Sequence, residues 1–348
     1  MRSPEPTTDE KAALAVLETR LGHLHVRQRL GLERDYEAHV FRRGTHFFHL
    51  ENWYSVHGLI RASLKIVGLY GRGQRNALAI ELRENEVLIP GLPEAFDGYT
   101  ILHLSDLHLD IGAAFTATLQ RRIQALNYDL CVLTGDYRAL TFGSFDPALT
   151  ELRRLRPHIA GPVYAILGNH DSIRMVPAME EMGYRMLLNE CARIDRAGEA
   201  IYLAGIDDAH YYRMENFHRA AYDIPQHATS ILLSHTPEVY RHAAHAAFDL
   251  MLCGHTHGGQ ICLPGGVPVL TDSDIPRSLA RGRWRYHDMA GYTSAGAGSS
   301  IVDVRLNCPP EVTLHRLRRA PPVFNTVFNT VDPGYANGTA AAKAPAPG

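Results

Sequence analysis

The chain has 348 residues, 45% of them hydrophobic and 21% charged, with 35 basic residues against 37 acidic ones and a formal net charge of −2. That balance excludes the basic excess or stripe of a nucleic-acid binder, and the length allows one large domain or two smaller ones. The five cysteines (Cys131, Cys191, Cys253, Cys262 and Cys308) form no C-x-x-C pair, which reads as reduced thiols and not as a disulfide framework.

The N-terminal stretch "MRSPEPTTDEKAALAVLETR" lacks an apolar signal core, and no run of about 18 uncharged apolar residues follows, so a cytoplasmic protein is expected. Residues 1–95 form an extension with a basic, aromatic middle. Within it Trp53, Val56, Leu59, Ile60, Leu64, Ile66, Val67 and Tyr70 fit a helical stripe, with His57, Arg61 and Lys65 opposite. Two readings stay open for residues 53–70: a basic amphipathic helix lying in a membrane interface, or a helix packed on the domain that follows.

From Tyr99 onward the pattern changes to short apolar runs ending in polar loops. They are "YTILHLSDLH", "YDLCVLTGDY", "PVYAILGNHD", "AIYLAGIDD", "TSILLSHTPE" and "FDLMLCGHTHGG". Such runs fit strands buried on both faces. Helical candidates, "FTATLQRRIQALN" and "DPALTELRRLRPHI", fall between them, and strand–helix alternation predicts an α/β fold over residues 96–320. Residues 321–348 are small and Pro-rich, a composition expected to be disordered.

The residues with chemistry come directly after the apolar runs, where ligands collect in open α/β sheets. They are Asp106 and His108, Asp136, Asn169 and His170, His235, and His255 with His257. Carboxylate, amide oxygen and imidazole without thiolate suit manganese, iron or zinc in a non-structural site. Seven ligand candidates, leaving out His170, are too many for one four-coordinate metal. They suit two metals that share a carboxylate, an arrangement that can hold a bridging hydroxide and clamp an in-line phosphoryl displacement. Each piece alone could be a turn or a cap; five at successive predicted strand ends are not.

In that order, "SDLH", "GDY", "GNHD", the histidine of "SHTPE" and "GHTHGGQ" resemble the five signature blocks of the calcineurin-like metallophosphoesterases, over roughly residues 98–318. The resemblance implies a four-layer αββα sandwich behind a mainly helical N-terminal extension. It assigns Asp106, His108 and His257 to one metal, and Asn169, His235 and His255 to the other, with Asp136 bridging. His170 would contact the phosphate and protonate the leaving oxygen. Arg138, two residues past the bridge, is a candidate for the substrate phosphate. Asp207, Asp208 and His210 follow a predicted strand and are candidates to line the cleft.

The end "GYTSAGAGSSIVDVRLNCPPEVTLHRL", with "GIDD" and "GHTHGGQI", is similar to a bacterial subfamily of membrane-associated phosphodiesterases and pyrophosphatases that cleave UDP-2,3-diacylglucosamine, the lipid A precursor. Those proteins usually begin with a membrane anchor. Here Arg61 and Lys65 stand where an anchor would be uniformly apolar, so peripheral contact at the inner face of the cytoplasmic membrane is expected instead. The alternatives are a soluble phosphodiesterase on small nucleotides and a scaffold that has lost catalysis. All eight site positions are retained, which speaks against the scaffold.

Overall fold

The computed structural model describes residues 8–42, 54–268, 271–300 and 302–320. The tail 321–348 and Trp53 lie outside the described residues, as do the side chains of residues 54–57. Helices α1 (Thr8–Leu21), α2 (His23–Arg42), α3 (Tyr54–Ile66) and α4 (Tyr70–Ala77) come first, and fourteen strands follow among the described residues.

One six-stranded sheet runs β1 (Glu81–Pro90), β14 (Glu311–Ala320), β2 (Thr100–Leu104), β3 (Leu130–Leu133), β4 (Val163–Ala165) and β5 (Arg185–Met186). All its neighbours are parallel except β14 with β2. A second runs β12 (Gly282–Tyr286), β13 (Met289–Thr293), β9 (Leu250–Cys253), β8 (Ser230–Leu233), β7 (Glu199–Gly205) and β6 (Glu190–Arg196), antiparallel at both edges. A small β10–β11 pair (Cys262–Leu263, Val267–Pro268) lies beyond the second histidine loop.

The apolar runs are continuous because both faces of each strand are covered. Ile101, Leu130 and Val132 join Leu203, Ile231, Leu250 and Leu252 in the layer between the sheets. Their chain neighbours Leu102, Leu104, Cys131 and Leu133 face outward, onto α5 (Ala113–Ile123), α6 (Asp146–Leu155) and α7 (Val176–Glu181). The second sheet's outer face carries α8 (Phe217–Ala220) and α9 (Tyr240–His245) over Leu232 and Met251. Helix, sheet, sheet, helix is the four-layer sandwich expected.

The N-terminal helices dock in two places. Leu14, Leu17, Leu21 and Val26 of α1 and α2 join the outer cluster of the first sheet. Ile60, Leu64 and Tyr70 pack instead on Val302, Val304 and Leu306, and Asp303 accepts hydrogen bonds from Tyr70 and Gln74 at 2.7 Å each. The expected apolar stripe of 53–70 therefore divides. Ile60 and Leu64 face protein, whereas Leu59, Ile66 and Val67 are 66, 86 and 62% exposed. Among the described residues no helix is long and apolar enough to cross a membrane.

Candidate metal centre

The first sheet delivers Asp106, Asp136 and Asn169 from the carboxyl ends of β2, β3 and β4; the second delivers His235 and His255 from β8 and β9. The site therefore straddles both sheets at one end. Its turns are sharp: Asp106, His108, Asp136, His255 and His257 have φ of 52°, 42°, 58°, 70° and 50°. Non-glycine residues rarely adopt this left-handed conformation, and such strain gathers at functional sites. Two glycines have no substitute here. A Cβ on Gly168 would collide with Asp136, and one on Gly254 with Ser105 and Asp106.

Two buried groups result. Ligand atoms of Asp106, His108 and His257 lie within 4.8 Å of one another, and so do those of Asp136, His235 and His255. Asp136 Oδ2 lies between them, 3.3 Å from His235 Nε2 and 4.0 Å from His108 Nε2. Asn169, fully buried, brings its Oδ1 to 2.8 Å from His235 Nε2. His170 stands beside them: its Nδ1 is 3.0 Å from Thr141 Oγ1, and its Nε2 3.9 Å from Asp136 Oδ2.

Backbone carbonyls fix the tautomers. His108 Nδ1–H donates to Arg138 O (2.8 Å), His235 Nδ1–H to Thr134 O (2.7 Å) and His255 Nε2–H to Asp272 O (2.7 Å). The opposite nitrogens, aimed at the cluster, are then lone pairs in the neutral rings. His108 Nε2 meets His257 Nε2 at 3.1 Å, and His235 Nε2 meets the Asn169 carbonyl oxygen. Acceptors converging on acceptors fit a cation, and orienting each ligating imidazole through its other nitrogen is how proteins build such sites.

The electrostatics make one exception, His235, whose inward nitrogen carries a proton when no cation is bound. Burial pushes the Asp106 carboxyl up, with Asp136 adding to the rise, while His235 and His108 oppose it. Burial acts the same way on Asp136, but His235, His170 and His108 hold it well below the usual carboxylate range. His235 goes up to about 10: burial would lower it, and the Asp136 and Asp106 carboxylates prevail. Burial pushes His170 down to about 3, and His255 and His257 well below the usual imidazole range. A cation entering here competes with the proton on His235.

Other residues the sequence singled out fall close by without joining the two groups. Arg138 donates to the carbonyls of His170, Thr141 and Gly143, which shapes that loop. Asp208 caps its own turn, accepting from the amides of His210, Tyr211 and Tyr212. His210 does reach the cluster, its ring 4.1 Å from that of His255 and its Nδ1 2.9 Å from Glu238 Oε2.

Three residues that sequence reasoning passed over matter as much. Asp171, the last letter of "GNHD", accepts from the amides of Gly168 (2.8 Å), Asp136 (2.7 Å) and Tyr137 (2.9 Å) and so ties two ligand loops together. Burial and the Asp136 charge push it up to about 7, against those amides and Arg138. Arg305, fully buried, donates to the carbonyls of His257, Gly296 and Gly298. Arg29 of α2, also fully buried, donates to Asp171 O at 3.0 Å.

Comparison with known proteins agrees with this geometry. A family described as calcineurin-like phosphoesterase matches residues 99–259. Over 237 residues the chain is 32% identical to the uncharacterized metallophosphoesterase YkoQ of Bacillus subtilis, across 65% of this chain and 86% of that protein. It is 28% identical over 238 residues to the phosphodiesterase YaeI of Escherichia coli, covering 63% and 82% of the two chains. It is also 26% identical over 283 residues to a transmembrane protein with metallophosphoesterase domain from Danio rerio, covering 75% and 62%.

Proposed function

The chain belongs to the calcineurin-like metallophosphoesterases, metal-dependent phosphoester hydrolases, and from that membership we propose that it cleaves a phosphodiester or pyrophosphate bond. Two divalent cations would be held here, one by Asp106, His108 and His257, the other by Asn169, His235 and His255, with Asp136 available to both. The observation that carries this reading is the pair of buried three-ligand groups with Asp136 Oδ2 within 4.0 Å of a histidine from each. Cations there supply Lewis acidity to an in-line displacement at phosphorus. The chain's own part is to orient. Thr141 Oγ1–H donating to His170 Nδ1 leaves Nε2–H on the neutral ring, facing the Asp136 side, as a donor for a phosphoryl or leaving oxygen. The His210 ring, tilted against that of His255 at 4.1 Å, forms one wall of the substrate cleft.

For the substrate we favour UDP-2,3-diacylglucosamine or a related nucleotide-linked lipid. In support, α3 and the turn after it leave Leu59, Ile66 and Val67 in solvent beside exposed Arg61 and Lys65, a combination suited to peripheral contact with an anionic bilayer. The second reading is a soluble phosphodiesterase acting on small nucleotides, in line with the name of the Escherichia coli relative. A panel of UDP-diacylglucosamine, cyclic nucleotides and bis-p-nitrophenyl phosphate with added Mn2+ separates them. Asp136→Asn is expected to lose both ions and all turnover. His170→Ala is expected to keep both ions and slow hydrolysis by about 10²–10⁴-fold. Full activity with a single bound ion at saturation would overturn the reading. Because His235 must give up its proton, Mn2+ should bind more weakly at pH 6 than at pH 8.

A further inference from the structure

A row of polar side chains crosses the inner, otherwise apolar face of the first sheet. Asn85 of β1, His315 of β14 and His103 of β2 stand on neighbouring strands, with Thr134 just past β3. Asn85 Nδ2 lies 2.9 Å from His315 Nδ1, and His315 Nε2 is 3.2 Å from His103 Nδ1. His103 Nε2 is 2.9 Å from Thr134 Oγ1, which is 2.7 Å from Ser105 Oγ, and Ser105 Oγ is 2.5 Å from Asp106 Oδ2. Asn85 is 4% exposed and every other member is fully buried.

The chemistry at the metal end dictates the direction of every bond. An ionised Asp106 only accepts, so Ser105 must donate to it. Ser105 has then spent its one proton, so Thr134 donates to Ser105, and His103 Nε2–H donates to Thr134. Burial holds the His103 imidazole down to about 3 and His315 well below its usual range, so both rings are neutral. A neutral His103 carrying its proton on Nε2 accepts at Nδ1, which requires His315 Nε2–H. His315 in turn accepts at Nδ1 from the Asn85 amide. Each link admits one orientation, and all donors point toward the metal ligand.

We propose that His103 and His315 are positioning residues for the metal centre, acting on Asp106 through Thr134 and Ser105. The bond from Ser105 falls on Oδ2, and Oδ1, which also accepts the His255 amide at 3.0 Å, lies 3.6 Å from His257 Nε2, on the side of the other candidate ligands. The three oriented histidines need only one backbone carbonyl apiece; Asp106 takes the His255 amide and, through Ser105 and Thr134, side chains drawn from three strands. Neutral hydrogen bonds in such a series polarise one another in a low-dielectric layer, so the last donor is stronger than an isolated serine. Apolar side chains would fill this layer at a lower desolvation cost, and the row is retained for what it does to the carboxylate. Its far end reaches a cleft of about 370 Å³ lined by Asn85, Val87, Leu250, Arg283 and Arg285.

The proposal rests on Asp106 being a metal ligand, and its test is Mn2+ titration of the full chain by calorimetry, starting metal-free. A wild-type chain that binds fewer than two ions overturns the two-ion reading itself. The relay is decided by variants. Thr134→Val, which keeps the shape and loses the hydroxyl, should weaken one of the two binding steps about tenfold, the low end of what outer partners of metal ligands contribute. Thr134→Ser should restore it. His315→Leu should weaken the same step several-fold in an otherwise native background, and add nothing once Ser105→Ala has cut the row. Thr134→Ser and Thr134→Val behaving alike, or the His315 and Ser105 losses adding independently, would overturn the relay. The His315–Ser105 cycle decides even if Thr134→Val fails to fold.

Discussion

Helix α2 sends three of its charged or titratable side chains, His25, Arg29 and Glu33, inward. Arg29 is fully buried between Asp207 (Nε to Oδ1, 3.5 Å) and Glu33 (Nη1 to Oε1, 3.2 Å), with its guanidinium 3.4 Å from the centroid of the Tyr212 ring. His25 adds a 2.9 Å contact to Asp207, and Glu33 accepts from Ser172 Oγ and the Ile173 amide. Helix α3 does the reverse: Arg61 and Lys65 stay in solvent, and three large aliphatic side chains stay with them. Both belong to one N-terminal extension. Charges can be buried only where partners wait for them, so α2 must be part of the catalytic body, bound to the loop that follows His170. The aliphatic groups of α3 left in water are not covered by any of the described residues.

The comparison breaks most severely at Arg29. Arg29→Met leaves Asp207 buried without its guanidinium, and removing one partner of a buried pair costs about 3–5 kcal/mol. Thermal or urea unfolding should show that loss, with activity falling alongside because Asp171 O loses its donor. The pH dependence identifies the cause. In the native chain burial would raise Asp207, but Arg29 and then His25 hold it low, so its contribution is present above the unfolded carboxylate value and fades only in strong acid. Without Arg29, burial dominates and its folded pKa rises. A group raised in this way penalises folding above that pKa, so the gap between variant and native chain should narrow from pH 7 toward pH 4. A gap independent of pH would mean that the loss is packing alone.

Glu33→Gln sharpens the same side of the comparison. The amide keeps one acceptor for Ser172 or Ile173 and removes the charge facing Arg29, so a smaller loss of about 1–2 kcal/mol is expected, near the worth of one hydrogen bond to a charged group. A loss as large as that of Arg29→Met would show that Glu33, and not Asp207, is the principal partner.

Why was α3 visible in the sequence and α2 not? The candidate ligands were legible because each follows an apolar run buried on both faces, and a polar residue at such an edge stands out by position. Asp171 adjoined a recognised block but was indistinguishable from a turn aspartate. Arg305, His103 and His315 sit inside strands or loops with no spacing to mark them, and Arg29 lies on a helix whose Arg27 and Arg34 face solvent. Burial of a lone polar residue is a tertiary fact. The stripe of 53–70 was legible as a stripe, yet periodicity cannot say which part of an apolar surface meets protein; Val302, Val304 and Leu306 made that choice from more than 230 residues away. Arg138 shows another limit: its position beside Asp136 suggested a substrate contact, and nothing in the sequence announced its three hydrogen bonds to backbone carbonyls.

The smallest expected effect on stability belongs to α3, and it tests what the helix is for. Ile60 and Leu64 must be left alone, because they pack on the 302–306 segment, and Arg305 within that segment holds His257. Leu59, Ile66 and Val67 face solvent, so changing all three to glutamate should shift stability by no more than about 0.5 kcal/mol per site and spare hydrolysis of a small soluble diester. Docking on a bilayer combines apolar burial with roughly 1 kcal/mol per basic residue near an anionic surface. The native chain should therefore co-sediment with phosphatidylglycerol-containing liposomes at low salt and be released at high salt. The triple variant should stay in the supernatant at both. If the native chain ignores the liposomes, α3 is no membrane contact and the small-nucleotide reading gains. If the triple variant loses diester hydrolysis while remaining folded, the exposed face serves the active site directly, and the division between α2 and α3 fails.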